Sequence, residues 1–423
     1  MGEQPAARTD RAASRIDGRV LAVALVASYL GVVATARLGF GVDLWPWLGV
    51  PSHELAFVDA LNVASGAECT RLGHDVLVDN PCDPLGRPLN YPRVWLLFSV
   101  VGMDPSWAGP LGATIVVVFL LSVWTLAGRL TLGEAVVYAA AVCAPAVMFG
   151  VERGQVDLVV FALVVAAVVA WRRSTRGSWF SPALVAGAAV AKLFPAVGLA
   201  AFLLARQRRA ALAAVGAGVV VVAYLLATLP DVRAIGQVTP QGQHYAYGAR
   251  ILMAALGRGV DAQAWEALGV ARQVVAMTPL LLVAVVAWWR WRRSALLQAL
   301  TPGASSGPDG WRLLSFHLGA LTYVGTFATA NNWDYRLVFL LLCLPQLLAW
   351  ARQGPSPQRA VGRATTAGVL VQLWLGGIAG YRTVADEVWS WALAVILLVL
   401  LVPGARAAWR DRRDLLRGQV NVR

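Results

Sequence analysis

Apolar positions along the chain gather into runs of roughly 17 to 22 residues, long enough for a helix to cross the ~30 Å core of a bilayer. Each run ends at arginines or at a Gly/Pro/polar turn. The pattern predicts full spans near residues 19–40, 109–127, 133–149, 155–171, 209–229, 271–289, 313–330, 335–350, 364–380 and 388–403. This is the signature of an all-α polytopic membrane protein. The first run lacks a short apolar core followed by a cleavage site, so it is expected to stay as a helix and not to act as a removable signal peptide.

Charge sets the topology. Arginine clusters at 8–19, 172–176, 206–209, 290–293, 352–363 and 406–423 belong on the cytoplasmic side by the positive-inside rule. One stretch, "SWFSPALVAGAAVAKLFPAVGLAAFLLARQRR", has a basic cluster on both sides. A single span there would force one cluster outside. Two short helices meeting at Lys192–Pro195 keep both inside, and Pro195 removes a backbone donor where the break is needed. The expected architecture is therefore about ten full spans plus a re-entrant pair, with both termini cytoplasmic. Its parts are a basic N-terminus at 1–18, a transmembrane domain at 19–403 and a basic tail at 404–423; residues 41–108 form a long first extracytoplasmic loop.

Composition agrees. The 423-residue chain is 58% hydrophobic and only 14% charged, with mean hydropathy +0.62, too little charge to cover a soluble domain. The sidedness of the arginines accounts for the net charge of +13, so no nucleic-acid partner is expected. The arginine- and alanine-rich bias suits a bacterium of high genomic GC content, which would place the chain in the inner (plasma) membrane.

With this topology the unusual polar residues fall on the outer side. Between residues 41 and 92 seven acids face two arginines, and the segment holds Cys69 and Cys82. In an oxidising compartment these cysteines would close a loop worth about 3 kcal/mol. "MFGVERGQVDLVVFAL" brings Glu152, Arg153, Gln155 and Asp157 to a helix mouth. "GQVTPQGQHYAYGAR" brings His244, and "ANNWDYRL" brings Asn332, Asp334 and Arg336. Lys192 is the only lysine in the chain and sits amid apolar residues. Ions in such places are costly and usually serve function. Convergence of several outer segments suggests one polar cavity open to the outer leaflet.

No His/Cys cluster has metal-ligand spacing and no phosphate-binding Gly loop follows a strand, so no cofactor is expected. An enzyme facing outward has no nucleotide-sugar pool, which leaves a lipid-carried donor. Glycosyl transfer from a polyprenyl phosphate needs a carboxylate base for the acceptor proton and cations for the departing phosphate. A lipid-linked-sugar flippase or transporter is the alternative. It fits less well, because the chain shows no internal repeat and its polar residues lie on one side instead of along a two-sided path.

"FVDALNVASGA", "LNYPRVW", "ERGQVDLVVFALVV" and "AGAAVAKLFPAVGLAAFLLARQRR" resemble glycosyltransferase family 87 (the DUF2029 group) across residues 55–350, most specifically in the GQVD and KLFP elements. The resemblance implies a GT-C-like bundle and transfer of a hexose, mannose-like, or a pentose from a polyprenyl-phosphate-linked sugar to an envelope glycan or glycolipid, with membrane lipid around the site. It implies Asp59 as general base and Lys192 and Arg153 near the donor phosphate; Arg336, which follows the Trp-Asp pair where the family has histidines, would serve the phosphate directly. Glu152, Gln155, Asp157, His244, Asn332, Asp334 and Tyr91 would bind substrate, with Asp334 orienting Arg336 or a sugar hydroxyl. The family often carries histidines after a Trp-Asp pair where this chain reads Trp333-Asp334-Tyr335-Arg336, and "NYPRVW" has arginine where a second proline is common.

Overall fold

The computed structural model describes residues 17–174, 179–205, 207–239, 245–251, 269–300, 310–329, 332–379 and 384–416. Helices form where the apolar runs lie. In chain order they are α1 (Gly18–Phe40), α2 (Val58–Arg71), α3 (Ala108–Ala127), α4 (Leu132–Val142), α5 (Pro145–Arg153), α6 (Asp157–Arg173), α7 (Phe180–Ala191), α8 (Ala200–Leu204), α9 (Arg208–Ala227) and α10 (Leu229–Val238). There follow α11 (Gly269–Arg290), α12 (Ala295–Ala299), α13 (Gly310–Thr329), α14 (Leu344–Gln353), α15 (Ser356–Ala379) and α16 (Val384–Leu416). Among the described residues, five helical segments are long and apolar enough to cross a membrane alone, or six if the bent α4–α5 pair is one span. The protein is an all-α membrane protein that has, among the described residues, one two-residue β ribbon, Ala246–Tyr247 paired antiparallel with Asn332–Trp333.

Local chemistry sets the ends. Asp17 accepts the Arg19 amide and caps α1, while Thr131 and Glu134 form a capping box on α4. Pro145 starts α5, and the chain turns by 53° between α4 and α5, so residues 133–149 are not one straight rod. α7 stops at Lys192, whose backbone is extended, and a 3-10 helix (Phe194–Leu199) follows through Pro195. The late span also differs from a plain helix. It opens as a 3-10 helix (Asp334–Cys343) before relaxing into α14. α16 runs on past residue 403 to Leu416 despite Pro403.

The interior is organised around that late span. Of the Asp334–Gln353 span 78% is buried, against 17% for α1 and for α9, which are peripheral. The loop before α3 is far from a bare connector. It holds the buried helix α2, a Cys69–Cys82 disulfide and a 3-10 helix (Arg93–Val101). The Trp95 indole donates to the Ala191 carbonyl (2.9 Å), which docks this loop on the last turn of α7.

Close backbone approach seats α2. Gly154 ends α5 with φ +59, and a Cβ there would lie 3.0 Å from Phe57 Cβ and 3.1 Å from the Gly112 α-carbon. Only glycine tolerates both the left-handed backbone and the crowding. The result sets Asp59, in the first turn of α2, directly beside Arg153 and Gln155 at the α5–α6 turn.

Candidate active site

Asp59 is 6% exposed and lies at the centre of a network of charge-assisted hydrogen bonds. Arg153 grips it with both arms of its fork, Nε to Oδ2 at 2.7 Å and Nη2 to Oδ1 at 2.9 Å. Gln155 Nε2 donates to Oδ2 at 2.7 Å. The amide orientation follows from its neighbours, because Gln155 Oε1 accepts from the Tyr91 hydroxyl (3.1 Å) and from Lys192 Nζ (3.4 Å). Gln155 thereby joins two ion-pair groups. Burial pushes the Tyr91 phenol well above its usual range, and the nearby Asp59 charge adds to the effect, so Tyr91 stays a donor.

The second group centres on Asp157, which is fully buried in the first turn of α6. One oxygen pairs with Lys192 Nζ, and the other lies 3.3 Å from Arg336 Nε. The carboxylate at a helix N-terminus also faces the positive end of the helix dipole. Aromatic faces complete the setting: Lys192 Nζ lies 4.9 Å from the Tyr91 ring centre and 5.6 Å from that of Tyr335. The Arg336 guanidinium lies over Phe194 at 5.0 Å. Such contacts stabilise a cation that has left bulk water.

Arg336 takes its orientation from Asp157 and from Asn332 Oδ1, to which Nη1 donates at 2.5 Å. Asn332, fully buried, is itself pinned by donating to the Thr326 carbonyl (2.8 Å). Asp334 does not take the first of its two expected roles, that of orienting Arg336. Its carboxylate packs against Gly376 of α15 and makes no hydrogen bond to Arg336 among the described residues. The reason lies in the backbone, since a 3-10 helix turns about 120° per residue and thus points residues i and i+2 to different sides. Glu152 also stands apart: it is 4% exposed and accepts the His53 amide at 3.1 Å, bracing the loop before α2. His244 lies outside the described residues.

Sequence reasoning did not single out Arg87. Its Nη1 lies 3.6 Å from Asp59 Oδ1, while Nη2 donates to Asp83 (2.9 Å) and to the Val58 carbonyl (2.6 Å). Asp83 in turn accepts from Asn62 at 2.7 Å, which ties the far loop to α2. The only hint in the sequence was one of two arginines in an acidic loop. Tyr335 was missed for a similar reason, as an aromatic at a span mouth reads as an interface residue.

Four cations (Arg87, Arg153, Lys192, Arg336) thus share three carboxylates (Asp59, Asp83, Asp157), so this ion-paired set has a surplus of one positive charge. A site of this kind presents forked and point-like donors to an anion and keeps a carboxylate within reach of the same space.

Comparison with protein families places part of this network inside one match. The family model for glycosyltransferase family 87 covers residues 91–305, a stretch that contains Tyr91, Arg153, Gln155, Asp157 and Lys192. No curated protein and no solved structure matches the chain. The match spans half of the sequence. The chain belongs to glycosyltransferase family 87 and is a glycosyltransferase of the membrane.

Proposed function

We propose that the enzyme moves a hexose of the mannose type, or a pentose, from a polyprenyl-phosphate donor to an envelope glycan or glycolipid outside the cytoplasm. The observation that supports this most is the single network in which Asp59 holds Arg153 directly, is joined by Gln155 to Lys192, and through Lys192 and Asp157 is connected to Arg336. A sugar-phosphate diester carries one negative charge, which the surplus positive charge of the network would balance.

In the step we envisage, the acceptor hydroxyl oxygen bonds to the sugar C1 as the C1–O bond to the phosphate breaks. The hydroxyl proton goes to an oxygen of Asp59. The electron pair of the broken bond leaves with the polyprenyl phosphate, whose growing charge is met by Arg153, Lys192 and Arg336. Preorganised cations in a site poor in water are worth far more than the same groups in solution. Asp157 positions Lys192 and Arg336, and Tyr91 and Gln155 keep the two halves in register.

The fold we favour is of the GT-C type, with about ten crossings, a re-entrant pair at α7–α8 and cytoplasmic termini in a bacterial inner membrane. On that topology the network opens to the outer leaflet, where polyprenyl-linked sugars are consumed. The test is direct. Purified enzyme in nanodiscs is given a labelled polyprenyl-phosphate mannose and a short glycan or glycolipid acceptor, without a membrane gradient. Appearance of a new labelled glycoside supports the reading; no transfer from any polyprenyl-phosphate sugar refutes it.

A further inference from the structure

Three of the acceptor positions of the Asp59 carboxylate are taken, two of them by Arg153. A carboxylate offers about four. Oδ2 receives Arg153 Nε and Gln155 Nε2, both at 2.7 Å, and Oδ1 receives Arg153 Nη2 at 2.9 Å while facing Arg87 Nη1 at 3.6 Å. The one acceptor position left, on Oδ1, is faced by Arg87 Nη1 at 3.6 Å and hemmed in by the Arg153 fork, and a general base must be within hydrogen-bond reach of the proton it takes. The residue best suited to be the base is covered by a cation best suited to hold the phosphate.

The bidentate fork that clamps Asp59 has the geometry with which guanidinium holds a phosphate. Arg153 is also the most open of the three phosphate-facing cations, with 25% of its side chain exposed against 15% for Arg336 and 11% for Lys192. It rests over the Phe149 ring at 5.5 Å, an apolar platform on which the planar group can swing. Gln155 stays bonded to Oδ2 when the fork moves, so Asp59 keeps its orientation while Oδ1 loses its hydrogen bond; Arg87, held by Asp83 and the Val58 carbonyl, stays at 3.6 Å.

We infer that the donor phosphate and Asp59 compete for the Arg153 fork, so that donor binding is what exposes Asp59 as a base. The inference rests on the reading of Asp59 as the base given above. It makes Arg153 a latch that couples the two substrates: the acceptor hydroxyl can surrender its proton only after the phosphate has taken the guanidinium. The proton then goes to Oδ1 as the C1–O bond breaks, and the guanidinium that left Asp59 neutralises the departing phosphate. Substrate order follows, with donor before acceptor.

Isotope-edited infrared spectroscopy tests this on the intact protein in nanodiscs. Aspartate is labelled with carbon-13 at the side-chain carboxyl, and the Asp59 band is isolated by subtracting the spectrum of Asp59→Asn. Farnesyl phosphate serves as the probe, its binding followed separately by phosphorus-31 NMR. The expected result is a shift of the Asp59 carboxylate band when farnesyl phosphate binds. In Arg153→Gln the band should already sit at the shifted position and not respond to the probe. Farnesyl phosphate that binds without moving the Asp59 band overturns the latch and leaves the phosphate site standing. Failure to bind overturns both. Should Arg153→Gln not fold, the wild-type spectra decide alone.

Discussion

Lys192 ion-pairs with Asp157 across the junction between the break after α7 and the first turn of α6, and both side chains are almost wholly buried. That contact explains why the only lysine of the chain lies among apolar residues. A buried ion in a membrane protein needs a partner, and this one has Asp157, the Gln155 amide oxygen and two aromatic faces. The compact ammonium fits where a planar guanidinium would meet Tyr91 and Tyr335.

Replacing Lys192 by Met therefore removes one donor from Gln155 and one from Asp157, which keeps Arg336. A hydrogen bond to a charged group is worth about 1.5–3 kcal/mol, so donor KM should rise roughly 10- to 100-fold. Initial rates against donor concentration check this. An unchanged KM would remove Lys192 from the phosphate site.

Asp334 and Asn332 separate what the sequence suggests from what the structure shows. Since Asn332 and not Asp334 bonds Arg336, Asn332→Ala should weaken farnesyl phosphate binding by about tenfold, the equivalent of roughly 1.4 kcal/mol. Asp334→Asn should change it by no more than about twofold. The reverse ranking, measured by phosphorus-31 NMR titration, would return Asp334 to the site.

Gly154→Ala should destabilise the protein by about 1–3 kcal/mol, because φ is +59 and the added methyl would lie 3.0–3.2 Å from Phe57, Gly112 and Ala60. Gly216→Ala on peripheral α9 is the control. It meets nothing within 4 Å, and in a helix interior alanine is favoured over glycine by roughly 0.5–1 kcal/mol. Thermal unfolding in detergent should thus move in opposite directions for the two.

The Cys69–Cys82 link closes a 13-residue interval that supports the loop carrying Asp83 and Arg87. Changing both cysteines to serine should cost about 3 kcal/mol. Because Arg87 reaches Asp59 from this loop, activity should also fall below that of the parent at temperatures where both are folded. Equal stability of the two proteins would show that packing alone holds the loop.

Much of this was legible in the sequence because length and hydropathy carry it: helices stand at nearly all the predicted runs within the described residues. Asp59, Arg153, Gln155, Asp157, Lys192, Arg336, Tyr91 and Asn332 come together in one network. What stayed hidden depends on tertiary contact. α2 intersperses Val, Leu and Ala with Asp, Asn, Ser and Gly, and its burial comes from packing, not from a long apolar run. The bend between α4 and α5 leaves little trace in hydropathy, since both arms are apolar. Arg87 carries no sequence mark beyond being one of two arginines in an acidic loop, and which of the neighbours Asn332 and Asp334 would reach Arg336 is decided by tertiary packing.

The most direct measurement of the central claim is single-turnover transfer by Asp59→Asn alongside its affinity for farnesyl phosphate. Positioned bases contribute about 10²–10⁴-fold, so transfer should fall by at least roughly a hundredfold while the phosphate still binds. Transfer at the parental rate by a folded Asp59→Asn enzyme would contradict the account.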